Sequence, residues 1–310
     1  MIAPSSISEL SDALRDDAGV EGPVGNISLA GLNRVIRHAP QDLTVTVESG
    51  MTLGALQKRL AESGQWLPLD PPDAGSITIR ELLDRDRSGP RRFGFGTARD
   101  WVIGLRAVLP DGRVIESGGG VVKNVAGYEI HKLLIGARGE LAVIAEAAFK
   151  VNPVPECEEF FSADCPDPSV TQQLLTELLT GAVNPHVVDL HNVHTRTLQL
   201  VVGFCGSARE VEWQRDRLPA SVKWHSTDLR HADLFAEEHD ARDVQSVSVR
   251  PSELSGFVDT LLNQCFVARA GNGIVYSLFP NMPPRVSGAI ETRVQHLFDP
   301  RRRLVAPTSN

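Results

Sequence analysis

The apolar positions of the chain follow two rhythms, one helical and one alternating, and together they predict an ordered series of elements. Ile7, Leu10 and Leu14 recur at i, i+3 and i+7, which predicts an amphipathic helix over 7–18. Ser6 is placed to cap it, and Glu9 completes a capping box. Gly19, Gly22, Pro23 and Gly25 then break regular structure. Leu29 and its neighbours up to Val35 carry one or two apolar positions toward a core. L-T-V-T-V at 43–47 alternates with β-branched residues, a strand pattern ended by Gly50. Thr52 caps a helix predicted over 53–63, with Leu53, Leu56 and Leu60 on one face and Gly64 just beyond it. W-L-P-L-D-P-P at 66–72 is not helical, because its prolines remove donors and fix φ. The charged stretch 80–86 reads as a helical turn. Two strands, 101–109 and 113–116, flank Pro110-Asp111-Gly112, a hairpin turn. Gly118, Gly119 and Gly120 let the backbone pass close to a neighbour. A short helix over 130–135 stops at Gly136, and 141–151 alternates again up to Pro153 and Pro155.

From Glu156 strands and helices follow one another. Strands are predicted at 160–164, 187–190, 197–204 and 244–249. Helices are predicted at 170–179, 207–218 and 251–263, the last with Pro251 at its start, where a missing N–H costs nothing. A strand pair over 268–279 is pinched at Gly271-Asn272-Gly273, and a final helix runs over 287–297. The expected fold class is α+β in two domains, 1–155 and 156–310. There is no repeat and no low-complexity tract.

Composition narrows the function classes. A length of 310 residues exceeds one ordinary core, and 42% hydrophobic with 23% charged residues is globular. A net charge of -8 argues against generic nucleic-acid binding. Cys157, Cys165, Cys205 and Cys265 form no Cys-x-x-Cys pair, so neither a disulfide framework nor a zinc site is expected and a reducing cytoplasm is the simplest home. The first residues lack a basic stretch followed by an apolar one, and no apolar run is long enough to span a bilayer. Membrane association is expected only through a partner subunit.

The common nucleotide signals fail. Gly94-Phe95-Gly96 begins a G-x-G-x-x-G, but its third glycine is Arg99. There is no P-loop and no G-x-S-x-G elbow. His191 and His194 are spaced for a metal on a helix, but the preceding V-V-D-L predicts a strand running into a loop, so surface histidines are the simpler reading and no metal is assigned. His131 either approaches a ligand or bonds to backbone. Arg80, Arg85, Arg87, Arg91, Arg92 and Arg99 are interleaved with Glu81, Asp84, Asp86 and Asp100. They fit a salt-bridged surface and a pyrophosphate site equally.

R-S-G-P-R-R-F-G-F-G-T-A-R-D at 87–100, with W-L-P-L-D-P-P before it and G-G-G-V-V-K-N-V-A-G-Y-E-I-H-K-L-L-I-G-A-R-G-E-L-A-V-I-A-E after it, resembles the FAD-binding subunit of bacterial glycolate oxidase. That subunit type lies among the PCMH-type, vanillyl-alcohol-oxidase-like FAD-linked oxidases. The likeness is close over 42–155, and S-V-R-P-S-E-L and H-L-F-D-P-R-R-R-L-V-A-P are similar to the family's lid strand and closing segment. It implies a PCMH-type FAD-binding domain of two α+β subdomains with the cofactor between them, then an α+β lid. It implies FAD held by Gly25, by Ser76, Ile77, Thr78 and Arg80, by Asp86, Ser88, Gly89 and Pro90, and by Gly136, Gly139, Val143 and Ile144. It implies companion flavoprotein and iron–sulfur subunits and a small 2-hydroxy acid such as glycolate as substrate.

Two departures stand out. The family's glycine-rich pyrophosphate loop is shortened by about ten residues at 22–32, where Gly25 remains. Its Gly-Gly pair after the threonine is replaced by Arg80 and Glu81. The chain lacks the sister subunit's histidine-rich metal motif, and Tyr276 stands where a histidine is expected. No catalytic base is assigned. Two readings follow: an FAD subunit with an electron-relaying or accessory role, or a flavin-free structural subunit that kept the fold.

Overall fold

Alternating β-branched residues make Thr44–Glu48 an inner strand of an antiparallel sheet in the computed structural model. The structure describes residues 2–16, 26–119, 129–192, 197–227, 245–277 and 288–304. Among the described residues this sheet has five strands, in the order Val35–Ala39, Thr44–Glu48, Val143–Lys150, Val102–Val108 and Val114–Gly118. Every neighbouring pair is antiparallel. The sheet belongs to the first of two units, which comprises Met1–Ser88, Thr97–Val154 and Pro284–Asn310. The second comprises Gly89–Gly96 and Pro155–Pro283.

The first predicted helix is Ile7–Asp16, and it buries Leu10 and Leu14 against Leu29, Leu32, Val108, Val143 and Leu304. Its capping box is offset. Ser6 Oγ accepts from the Glu9 amide, but the Glu9 carboxylate turns to the Ser5 amide and hydroxyl. Helix Leu53–Ala61 is capped by Thr52 as expected, with Leu53, Leu56 and Leu60 buried. The last described residues also pack here. Arg303, 2% exposed, donates through Nη1 to the Leu14 carbonyl at 2.8 Å and the Pro110 carbonyl at 2.6 Å. One guanidinium therefore joins the end of the first helix, the hairpin turn and residues near 303.

The neighbour that the glycines at 118 and 119 accommodate is their own paired strand. Gly118 has φ 76°, and a Cβ there would lie 2.1 Å from the Ile103 carbonyl oxygen. The Gly119 amide donates to that same oxygen at 3.2 Å. Gly118→Ala is expected to lower stability by roughly 2–4 kcal/mol, read from the urea midpoint at unchanged m.

The second unit is built on an antiparallel sheet of seven described strands. Their order is His225–Thr227, Cys157–Cys165, Leu198–Gly206, Val187–His191, Phe266–Arg269, Ile274–Ser277 and Gln245–Ser248. One face is apolar: Phe161, Leu190, Leu200, Val202, Ala268 and Val275 pack with Leu174, Leu178, Val211 and Val258 from the helices. These helices are Pro168–Thr180, Ala208–Arg215 and Leu254–Asp259. The helix predicted over 251–263 is shorter, since Pro251–Glu253 adopts a 3-10 turn first. The strand Val35–Ala39 and the short helices Arg92–Phe95 and Ala98–Trp101 carry too little apolar periodicity to be read from the chain. Among the described residues, no helix is long and apolar enough to cross a membrane.

Candidate functional site

In the first unit the expected cofactor segments meet around the helix Ile79–Arg85. Thr78 starts it: Oγ1 accepts from the Glu81 amide at 3.2 Å, and the Thr78 amide donates to Glu81 Oε2 at 3.1 Å. That reciprocal cap, legible as T-x-x-E, folds Glu81 back on Thr78. Arg80 turns inward instead. Its Nε donates to Asp84 Oδ2 at 3.2 Å and its Nη1 to the Ile27 carbonyl at 2.8 Å. The Arg80 side chain is 12% exposed and that of Asp84 1%. Burial pushes the Asp84 carboxyl up to about 6, against the pull of Arg80. Asp84 Oδ1 has no hydrogen-bond partner among the described residues.

The stretch from Gly136 closes on the same helix. The Gly136 amide donates to the Leu83 carbonyl at 2.8 Å and the Arg138 amide to the Asp84 carbonyl at 2.6 Å. Gly136, Arg138 and Gly139 all have positive φ. Asp86, also at positive φ, ends the helix, and its Oδ1 accepts from the Arg99 amide at 3.3 Å. Arg99 Nη2 reaches the Ile135 carbonyl at 2.6 Å. The Ile144 carbonyl accepts from Ser49 Oγ at 2.6 Å, and the Arg80 amide donates to the Ser49 carbonyl at 2.7 Å. Ile77, Thr78, Arg80, Asp86, Gly136 and Ile144 are thus brought together, with exposed Ser76 at the near end. The side chains of Val143 and Ile144 are buried. Ser88 belongs to the first unit, whereas Gly89 and Pro90 belong to the second. Gly25, with the rest of 22–25, and the V-V-K-N-V-A-G-Y motif lie outside the described residues.

The amides of 76–80 are already engaged. Those of Ser76 and Ile77 donate to Asp73, that of Thr78 to Glu81, that of Ile79 to Met51 and that of Arg80 to Ser49. Gly136 and Arg138 are engaged as described. Residues 76–80, Gly136 and Arg138 therefore offer no free amide to an anion. What they offer is a side-chain cation and an orphaned carboxylate oxygen. His131 serves the fold: its ring Nδ1 and the Ser117 hydroxyl lie 3.1 Å apart, and burial lowers its pKa.

The second unit holds a polar constellation that the sequence reading missed. His191, expected at the surface, is fully buried in the strand Val187–His191, while His194 lies outside the described residues. Asp189 shares its strand face with His191, opposite Leu190 in the apolar core. Arg269 sits directly across from Asp189 in the ladder, and its Nη1 donates to Asp189 Oδ2. The Arg269 guanidinium lies 5.8 Å from the Tyr276 ring centroid. Burial pushes the Asp189 carboxyl up to about 6, against the pull of Arg269. Arg269 is 3% exposed, and its Nε has no hydrogen-bond partner among the described residues. The usable signal was the alternation V-D-H at 187, 189 and 191.

A second charged group pins the segment Gly89–Gly96 to this unit. Arg91 grips Glu158 through Nε at 2.9 Å and Nη2 at 2.7 Å. His186 Nε2 lies 2.9 Å from Glu158 Oε1, with Phe95 and Phe160 against its ring. Burial would raise the Glu158 carboxyl, but the bonds to His186 and Arg91 outweigh it and hold it at about 2.

Residues 2–118 match the family described as an FAD binding domain, and FAD is the cofactor of that domain. Over 122 residues the chain is 36% identical to glycolate oxidase subunit GlcE of Escherichia coli, covering 39% of this chain and 35% of that one. Over 158 residues it is 28% identical to glycolate oxidase subunit GlcD of Bacillus subtilis, covering 51% and 34%. The matches thus span about a third of either relative. A solved structure of alkyldihydroxyacetonephosphate synthase superposes with a TM-score of 0.69 at 17% identity, covering 97% of this chain and 74% of that one. The fold is therefore the α+β fold of that protein, with an FAD binding domain in the first unit.

Proposed function

We propose that the chain is the FAD-binding subunit of an oxidoreductase acting on a short 2-hydroxy acid such as glycolate. In this reading it works with flavoprotein and iron–sulfur companions in an electron-relaying or accessory role. The FAD binding domain and the likeness to two glycolate oxidase subunits support it. Within the chain, the observation that carries it is the gathering around the helix Ile79–Arg85. There Ile77, Thr78, Arg80, Asp86, Gly136 and Ile144, all expected at the cofactor, converge, with the Arg80 guanidinium among them as a fixed cation. A bound flavin supplies a hydride acceptor.

The test is the visible spectrum of the purified chain, alone and with companion subunits, followed by anaerobic bleaching with glycolate. Flavin bands and bleaching are expected. No FAD in either preparation would reject the reading. It would favour the flavin-free structural subunit, which the paired amides of 76–80 support.

A further inference from the structure

We propose that Arg80 is a phosphate-binding residue of this FAD domain, a guanidinium doing the work that the engaged amides of 76–80 cannot do. The proposal rests on the FAD reading and adds how the nucleotide part is gripped. Its basis is donor supply. An anion needs convergent N–H groups, and the amides of 76–80 already serve protein acceptors. The donor left in this segment is the Arg80 side chain.

Its geometry fits that role. Nε is held by Asp84 and Nη1 by the Ile27 carbonyl, so two of the three nitrogens fix the plane of the guanidinium. Nη2 has no partner among the described residues, and the side chain keeps 12% of its surface open. A fixed cation with one free edge needs little ordering to accept a phosphate oxygen. The bond to Ile27 sets the guanidinium beside the described residues that follow Gly25. Glu81, the adjacent carboxylate, is bound to Thr78 and so is turned away from that edge. Asp84 is a positioning residue: it touches Arg80, and its remaining oxygen is orphaned. The ligand class is the diphosphate of an adenine dinucleotide, and ADP carries the same chemistry.

The experiment titrates the full chain with FAD, ADP and riboflavin by calorimetry, at low and high salt. Riboflavin has the flavin ring without phosphate. The wild-type chain should bind FAD and ADP, more weakly at high salt. Arg80→Gln should weaken both roughly tenfold or more, with riboflavin unchanged. Arg80→Lys and Asp84→Asn should fall between. If Arg80→Gln does not fold, judged by circular dichroism, the lysine variant and the salt dependence of the wild-type chain decide. Equal or tighter FAD binding by a folded Arg80→Gln chain overturns the proposal and makes Arg80 an obstruction. So does ADP binding that ignores salt. A wild-type chain that binds none of the three ligands rejects the FAD reading itself, and this proposal with it.

Discussion

Arg269→Met should destabilise the second unit by roughly 3–5 kcal/mol, because it leaves Asp189 buried without its cation. The double variant Asp189→Leu/Arg269→Met should recover most of that loss. Two apolar side chains in one cavity carry no desolvation penalty, whereas one stranded charge does. The sign with pH follows from the carboxyl. Asp189 is pushed up to about 6 with Arg269 in place, and without it should rise further, above an unfolded value of about 3.9. A raised carboxyl in the folded state weakens the fold at high pH and relieves it as pH falls through the folded pKa. The deficit of Arg269→Met should therefore shrink between about pH 8 and pH 5. Urea melts across that range measure it. A deficit that is flat with pH, or a double variant as weak as the single, would show that the pair does not set the cost.

The second large effect is expected at Glu158, with the opposite sign. Its carboxyl is held at about 2, below an unfolded value of about 4.3. The stabilisation is complete above the unfolded value and is lost as pH falls toward the folded one. The wild-type chain should thus melt well above Glu158→Gln at neutral pH, and the gap should close steadily below about pH 4.3. The variant should also release the arm Gly89–Gly96, since Arg91 loses its bidentate carboxylate and His186 its partner. Faster amide exchange at Arg92 and Phe95, with the seven-stranded sheet unchanged, would register that release. Identical pH profiles for the two chains would contradict it.

Some of this was legible from residues alone because local chemistry decides it. Pro110-Asp111-Gly112 makes its hairpin whatever surrounds it, and Thr52 caps its helix with its own hydroxyl. Of the leucines spaced along one helix face, Leu174, Leu175 and Leu178 are buried and Leu179 is partly so. What escaped depends on long-range pairing. V-V-D-L-H reads as a strand running to the surface until its ladder with Phe266–Arg269 sets Asp189 against Arg269. The arginine-rich stretch divided its roles between units: Arg80 faces Asp84 in the first, and Arg91 faces Glu158, 67 residues away, in the second. Charge spacing does not encode that choice. Glu81 follows Arg80 in sequence, yet the capping geometry of Thr78 sends the two side chains to different partners.

The buried bonds of Arg303 also have a temporal consequence. The chain is synthesised from its amino end, but the core around Leu10 and Leu14 is completed by Leu304, and the Leu14 and Pro110 carbonyls wait for a guanidinium near that same place. The first unit therefore cannot seal while it is the only part outside the ribosome. Residues 155–283 emerge as one uninterrupted stretch and can settle earlier. Assembly would then run against the usual amino-first order, with the nascent FAD domain left open until Arg303 and Leu304 have emerged.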